Sequence, residues 1–366
     1  MQDKEIIEKL LKKAGLEIGR DINIRNENLY KRVLEEGSIG LGEAYMDGWW
    51  SADNLVEFFF KALKADLQED INNNWELFLK LIVKIIFNQQ TKDRAFKIGE
   101  KHYDIGNDLY KAMLDKRMVY TCGYWKNVRS LNKAQEAKLD LVCRKLNLQP
   151  GQKILDIGCG WGSFMKYAAQ KYGVSAVGLT VSQQQVDLGN KLCAGLPVVI
   201  KFQDYRDIEG VYDHIVSLGM FEHVGYRNYR TYMEVVEKHL SPKGLFLLHT
   251  IGSNKSVRMT DPWIEKYIFP NSMVPSIKQI GTAVEELFVM DDWHNFSVDY
   301  YRTLMAWFKN FDRNWDSIKS KYDKRFYRMW KYYLLSSAAF FKARKIQLWQ
   351  IVFSKQGFPA GYESIR

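Results

Sequence analysis

Proline and cysteine are both scarce in this chain, at seven and four among 366 residues. So few prolines, with no low-complexity tract, argue against long disordered stretches. The cysteines, Cys122, Cys143, Cys159 and Cys193, show no paired spacing, and the chain does not open with a basic-then-apolar leader. A reducing, cytoplasmic setting is therefore expected. Also missing is the run of roughly 20 apolar residues needed to cross a bilayer. The greasiest stretch, Trp75 to Phe87, is interrupted by Lys80 and Lys84, so any membrane contact is expected to be peripheral, at the inner face. No His/Cys cluster has metal-ligand spacing, so no metal is expected, and His102, His214, His239 and His294 are read as structural or surface residues.

What is present suits a folded protein of two parts, with 46% hydrophobic and 26% charged residues. A small helical module is expected over 1–86, a linker over 87–97 and a larger domain over 98–366. The net charge of +10 is concentrated: Arg302 to Lys345 holds twelve Lys/Arg against Asp312, Asp316 and Asp323. Aromatic residues, among them Trp307, Phe311, Trp330 and Tyr333, are interleaved with these cations. Basic groups beside amphipathic rings suit an anionic lipid surface or a nucleic acid, or simply a helix pair that buries its rings and keeps its charges in water.

From Glu5 to Ala65 the pattern is short and helical, with turns expected at Gly15, Gly19 and the glycine-dense stretch Gly37 to Gly42. After Pro150-Gly151 apolar strand runs alternate with helices: Lys153 to Ile157, Ala176 to Val181, Val198 to Phe202, His214 to Leu218 and Leu245 to Thr250. That rhythm indicates a parallel sheet with helices on both faces. Leu287 to Asp292 and Gln347 to Phe353 supply two further strands, expected as an antiparallel edge. The fold class is α/β, a seven-stranded, mostly parallel, Rossmann-like methyltransferase sheet with a small helical N-terminal domain.

Ile154-Leu155-Asp156-Ile157-Gly158-Cys159-Gly160-Trp161-Gly162 puts an apolar strand before a glycine-rich turn and a helix. Such a turn lets backbone approach a ligand at the carboxyl end of the first strand. The pattern lacks a phosphate-binding lysine and departs from GxGxxG, so S-adenosylmethionine fits better than NAD or ATP; the bland alternative is a merely structural tight turn. At the next strand end, where many methyltransferases place an acid for the ribose, this chain has Thr180, with Gln185 available as a hydrogen-bonding substitute. Asp204 and Tyr205 at the third strand end suit the adenine amine and ring.

Four further motifs carry a resemblance: His102-Tyr103-Asp104-Ile105-Gly106-Asn107-Asp108, Tyr120-Thr121-Cys122-Gly123-Tyr124-Trp125, Gly219-Met220-Phe221-Glu222-His223-Val224-Gly225 and Leu248-His249-Thr250-Ile251-Gly252. With the glycine turn and the stretch Asn295 to Tyr300, they match the cyclopropane-fatty-acid synthases in order and spacing. The segment Glu36 to Trp50 resembles the bacterial phospholipid-acting branch of that family. The resemblance implies addition of a methylene from S-adenosylmethionine across a cis double bond of unsaturated phospholipid acyl chains, by a homodimer working at the membrane surface, without nucleic acid. It further implies a cofactor site that includes Tyr120, Thr121, Asp156, Gly158, Cys159, Gly160 and Gly162. Bicarbonate is implied as the base, held by Cys122, Glu222, His249, the Ile251 backbone and Tyr300. The chemistry has a physical rationale: methyl transfer to an unactivated alkene makes a carbocation, so the site must exclude water, offer π faces or a carboxylate, and then remove a proton.

Each residue also has a bland reading. Cys122 is equally a buried small hydrophobe, His223 a helix cap and His249 a core histidine, although strand carboxyl ends converge on one crevice. Two alternatives of function stand beside the first: a methyltransferase of the same fold acting on another lipid, a small molecule or RNA, and a lipid-binding protein that keeps only the fold.

Overall fold

The computed structural model describes residues 2–65, 106–359 and 361–366. The stretch Trp75 to Phe87, the linker 87–97 and the first four residues of the His102 motif lie outside them.

Seven segments rich in branched and aromatic residues form one sheet: β1 (Lys153–Ile157), β2 (Ser175–Thr180), β3 (Val198–Phe202), β4 (His214–Leu218), β5 (Leu245–Gly252), β6 (Val289–Asn295) and β7 (Gln347–Ser354). Their spatial order is β3-β2-β1-β4-β5-β7-β6. Strands β1 to β5 pair in parallel, whereas β7 lies between β5 and β6 and runs antiparallel to both. The order reverses at β1, and that is where a doubly wound sheet opens a crevice for a ligand. The strands occur where the apolar runs place them, with ends shifted by at most two residues except at β6, which ends three residues later, at Asn295.

Thirteen helices are described, in chain order: α1 (Gln2–Lys13), α2 (Asn28–Glu36), α3 (Ser38–Met46), α4 (Leu55–Lys64), α5 (Asn107–Met113), α6 (Leu131–Lys145), α7 (Ser163–Tyr172), α8 (Gln183–Leu192), α9 (Tyr229–His239), α10 (Pro262–Tyr267), α11 (Ile277–Val284), α12 (Val298–Ile318) and α13 (Lys324–Lys342). Local chemistry starts them. Ser130, Asp261, Ser276 and Asp323 cap α6, α10, α11 and α13 by accepting backbone N–H groups. The glycine-dense stretch corrects the expectation of a turn: only Gly37 turns, at φ +60°, and Ser38 onward is helix. Gly40 and Gly42 are there for close packing, because a Cβ at the first would strike the Arg32 carbonyl and at the second the Trp263 indole. Tertiary approach outweighs their poor helix propensity.

The α12–α13 hairpin explains the basic, aromatic segment. Its rings Trp307, Phe311, Trp330, Tyr332 and Tyr333 are buried in one core shared with Trp50, Phe58 and Phe59 of the N-terminal helices and with Tyr110 of α5. Several of its cations face inward partners: Arg325 pairs with Asp47 at 2.9 Å, Lys342 with Glu57 at 2.8 Å and Lys321 with Asp108 at 2.8 Å. Arg328 donates to the Trp50 carbonyl at 2.9 Å and lies over the Tyr45 ring. Glu43 on α3 receives Lys266 and Tyr267 of α10 at 2.5 and 2.7 Å. Arg302, Lys309 and Arg313 remain on an exposed face of α12. Among the described residues no helix is long and apolar enough to cross a membrane.

Candidate active site

The cavity that matters opens over the carboxyl end of β1. The backbone after β1 turns through Gly158 (φ +84°), Gly160 (φ +55°) and Gly162 (φ +78°) before entering α7. All three conformations belong to the left-handed region that disfavours side chains. Tyr120, Thr121, Asp156, Gly158, Cys159, Gly160, Thr180, Gln185, Asp204 and Tyr205 all line this cavity. Gly162 does not. A Cβ there would meet Ile200 Cδ1 at 2.8 Å and Cys193 Sγ at 3.1 Å, so this glycine lets α7 pack beside β3 and α8. Gly158 is backed by Met220, whereas a Cβ at Gly160 would meet no protein atom within 4 Å.

Thr180 and Gln185 are joined, Oγ1 donating to Oε1 at 2.5 Å, so the two residues replacing the usual acid form one unit at the end of β2. Asp204 is committed to Arg206, whose Nε and terminal nitrogen reach its two oxygens at 2.7 and 2.9 Å. Asp156 is 1% exposed, and burial lifts its carboxyl to about 7. Its Oδ1 has no hydrogen-bond partner among the described residues.

Cys122, Glu222, His249, Ile251 and Tyr300 lie immediately behind this cavity and line none of it. Thr121, next to Cys122, is a wall residue, as are Met220 and His223 on either side of Glu222. Gly219, also in the wall, donates to the His249 carbonyl at 2.8 Å. Glu222 Oε1 accepts the Ile251 N–H at 2.7 Å, which brings the carboxyl to the end of β5, where His249 stands. Phe296 links His249 to the Cys122 segment, touching the imidazole with centroids 6.0 Å apart and Tyr124 at 5.3 Å. Cys122 Sγ donates to the Gly123 carbonyl at 3.1 Å and lies 3.8 Å from Thr303 Oγ1, one turn beyond Tyr300 on α12. The Tyr300 ring stacks on Phe341 at 4.5 Å.

The electrostatics favour neutral groups. Burial, reinforced by Asp299, holds the Cys122 thiol well above its ordinary value, so it stays protonated and is no nucleophile. Burial lifts Glu222 to about 7 and drives His249 well below the usual imidazole range. The Gln350 amide nitrogen lies 3.3 Å from His249 Nδ1. With the amide turned this way, nitrogen toward the ring, Nδ1 accepts and neutral His249 carries its hydrogen on Nε2. His249 Nε2 and Glu222 Oε2 are both buried without a partner among the described residues. Below about pH 7 the carboxyl keeps its proton, so it and the imidazole N–H are then two buried donors left unsatisfied, a donor set that fits a small anion such as bicarbonate. The Ile251 N–H is given to Glu222 Oε1.

The Glu222 shift has a measurable consequence. The folded carboxyl titrates at about 7 instead of 4.5, so the folded state keeps a proton that the unfolded chain has lost between those values. Stability tied to the neutral carboxyl is full below pH 4.5 and is lost as pH rises through about 7. Glu222→Gln, a neutral isostere, is expected to match the wild type near pH 4.5 and exceed it by about 3 kcal/mol at pH 8. Denaturant melts at the two pH values check this, and equal gaps at both would show that the carboxyl does not titrate differently in the fold.

Lys138 and Gln135, which sequence reasoning passed over, stand one turn apart on α6. Both are fully buried and both grip Thr121, Lys138 Nζ at its Oγ1 (2.9 Å) and Gln135 Nε2 at its carbonyl (2.7 Å). Their signal was present: Gln135, Lys138, Leu139, Val142 and Leu146 follow helical spacing, so two polar residues sit on the apolar stripe. Arg206, Trp161 and His223 also line the cavity. His214, His239 and His294 are structural: His214 Nδ1 accepts the Leu245 N–H at 3.1 Å, His239 donates to the Gly210 carbonyl at 2.6 Å, and His294 lies 3.2 Å from Lys145.

This strand order, with its glycine turn and crevice over β1, defines a protein of the methyltransferase fold. The comparisons narrow that class. The family described as mycolic acid cyclopropane synthetase matches residues 90–351. The cyclopropane-fatty-acyl-phospholipid synthase of Escherichia coli strain K12 is 51% identical over 354 residues, covering 96% of this chain and 93% of that protein. Among solved structures, the cyclopropane synthase MmaA2 of Mycobacterium tuberculosis superposes with a TM-score of 0.67 at 29% identity, over 71% of this chain and 98% of that one. The mycolic acid cyclopropane synthase CmaA1, solved with SAH and CTAB, gives 0.66 at 30% identity over the same shares. This chain belongs to the cyclopropane synthetase family.

Proposed function

We propose that the protein transfers a methylene from S-adenosylmethionine across the cis double bond of an unsaturated phospholipid acyl chain, forming a cyclopropane ring. The observation that supports this most directly is that Glu222 Oε2 and His249 Nε2 are both buried and unsatisfied among the described residues, on segments that adjoin the wall of a cofactor-type cavity. An oxygen or nitrogen acceptor sheds its proton from the heteroatom, whereas an alkene acceptor sheds it from the transferred methyl carbon, so here the base must be held beside that carbon.

In this reading the alkene π electrons attack the sulfonium methyl carbon, the C–S bond breaks, and S-adenosylhomocysteine leaves. The carbocation so formed loses a proton from the new methyl group, and the released C–H pair closes the ring. Bicarbonate, bound at Glu222 and His249, would supply the base. The protein's own contribution is to keep the place dry and to set aromatic rings, Tyr300 among them, near the cation. Tyr300 lies between Phe341 and Trp307, whose ring it meets edge-on at 6.0 Å.

The reading extends to the rest of the chain. Residues 1–86 form a lipid-handling or dimerising module joined through 87–97 to the catalytic domain over 98–366, and the enzyme acts as a homodimer at the inner face of the membrane. The exposed cations Arg302, Lys309 and Arg313 are suited to anionic head groups, each worth about 1 kcal/mol near a charged leaflet. Lys321 and Arg325 are poorer probes of such binding, since they hold Asp108 and Asp47.

Mass spectrometry of lipids from cells expressing the protein tests the reaction. Unsaturated acyl chains should gain the mass of one CH₂ and lose their double bond. A gain of mass with the double bond retained would mark a simple methylation instead, and no gain from active preparations would sink the acyl-chain reading.

A further inference from the structure

Lys138 carries a charge into the wall of the cofactor cavity with a hydroxyl, not a carboxylate, as its hydrogen-bond partner. Its side chain is wholly buried, its Nζ has the Thr121 hydroxyl at 2.9 Å, and Asp115 and Asp156 act on it through space without a hydrogen bond. Asp115 is already engaged by the backbone N–H groups of Arg117 and Val119, at 3.1 and 2.9 Å. Asp156 lines the same cavity, and its buried Oδ1 has no partner among the described residues. A lysine and a carboxyl are thus buried in one wall, each without a hydrogen-bonded counter-charge, which is costly unless something completes both pairs. A single ligand does so when it is a zwitterion whose ammonium and carboxylate are joined through one carbon, as in an α-amino acid.

We propose that Lys138 binds the carboxylate of the cofactor's amino-acid end while Asp156 takes its ammonium. The inference rests on the S-adenosylmethionine reading above and deepens it by naming the residue that recognises the carboxylate. The hydroxyl of Thr121 then has a second purpose, because it accepts one N–H of Lys138 and so aims the remaining two. Burial lowers Lys138 to about 8, and a bound carboxylate restores its full charge by pairing with it.

The test compares S-adenosylhomocysteine with its decarboxylated analogue, which keeps the ammonium and the adenosine. Calorimetry on the full-length wild type should show the carboxylated ligand preferred by about ten- to a hundredfold. Lys138→Gln keeps a donor for Thr121 but no charge. It should lose that preference through weaker binding of S-adenosylhomocysteine alone, leaving the decarboxylated ligand unaffected. A preference that persists in Lys138→Gln overturns the assignment, as does a wild type that binds both ligands equally, an outcome that needs no variant to fold. Equal weakening of both ligands in Lys138→Gln also overturns it, because that is what loosening Thr121 alone would do. A wild type that binds neither ligand overturns the cofactor reading itself, and the inference with it.

Discussion

Glu222→Gln should cost the enzyme about 10²- to 10³-fold in turnover while leaving cofactor affinity unchanged, as expected when a group serves the transition state and not the ground state. The substitution preserves volume and the hydrogen bond from the Ile251 N–H, 2.7 Å long in the wild type. What it removes is the ability to carry or release a proton beside the developing cation. His249→Ala should behave alike, since Nε2 is the second unsatisfied donor, and carbonate-depleted buffer should slow the wild type. Single-turnover rates beside calorimetric cofactor affinities separate the two quantities. Full activity of both variants, with no response to carbonate, would remove the proposed base. The same Glu222→Gln protein is expected to be more stable at pH 8, so the buried carboxyl trades stability for function.

A methyl group at Gly160 should reduce cofactor affinity by up to about a hundredfold, the equivalent of overpacking a closed contact. Of the cavity-lining glycines Gly158, Gly160 and Gly219, Gly160 is the one whose Cβ would meet no protein atom within 4 Å; the space it would enter is open to the cavity. At φ +55° an alanine costs about 1–2 kcal/mol of backbone strain, while a β-branched valine would be strained further. Gly160→Ala is therefore the informative variant, and Gly195→Ala is its control. Gly195 has φ +79° and open space around it but lies away from the cavity, so it bears a similar backbone cost without touching ligand. Gly158→Ala is less clean, because its Cβ would press on Met220 at 2.6 Å. Equal cofactor affinity in Gly160→Ala and the control would detach the glycine turn from binding.

The cofactor half of the site was more legible than the acceptor half, for a physical reason. Strand, glycine turn and helix are consecutive in the chain, and Asp156, Gly158 and Gly160 reach the cavity through backbone geometry that local sequence dictates. Gly162 was legible as a glycine that must turn, but the neighbour it accommodates, Ile200 at 2.8 Å, comes from two strands away. The basic, aromatic hairpin was ambiguous because charge and periodicity look the same on a lipid-facing helix and on one packed against another module. Asp47 and Glu57, which take Arg325 and Lys342, lie nearly three hundred residues earlier in the chain.

The sequence by itself determined the sheet, the turn over β1 and the short list of reactive side chains, since periodicity, glycine and motif spacing act over a few residues at a time. Tertiary structure alone decided which polar atoms are left unsatisfied. Glu222 Oε2 and His249 Nε2 are left in want of a partner because burial raises the carboxyl to about 7 and drives the imidazole well below its usual range, and burial is a property of everything packed around them. Lys138 shows the same thing most plainly: on its helix it is one more lysine, and only when α6 closes against Thr121 and β1 does its charge become something a ligand must answer.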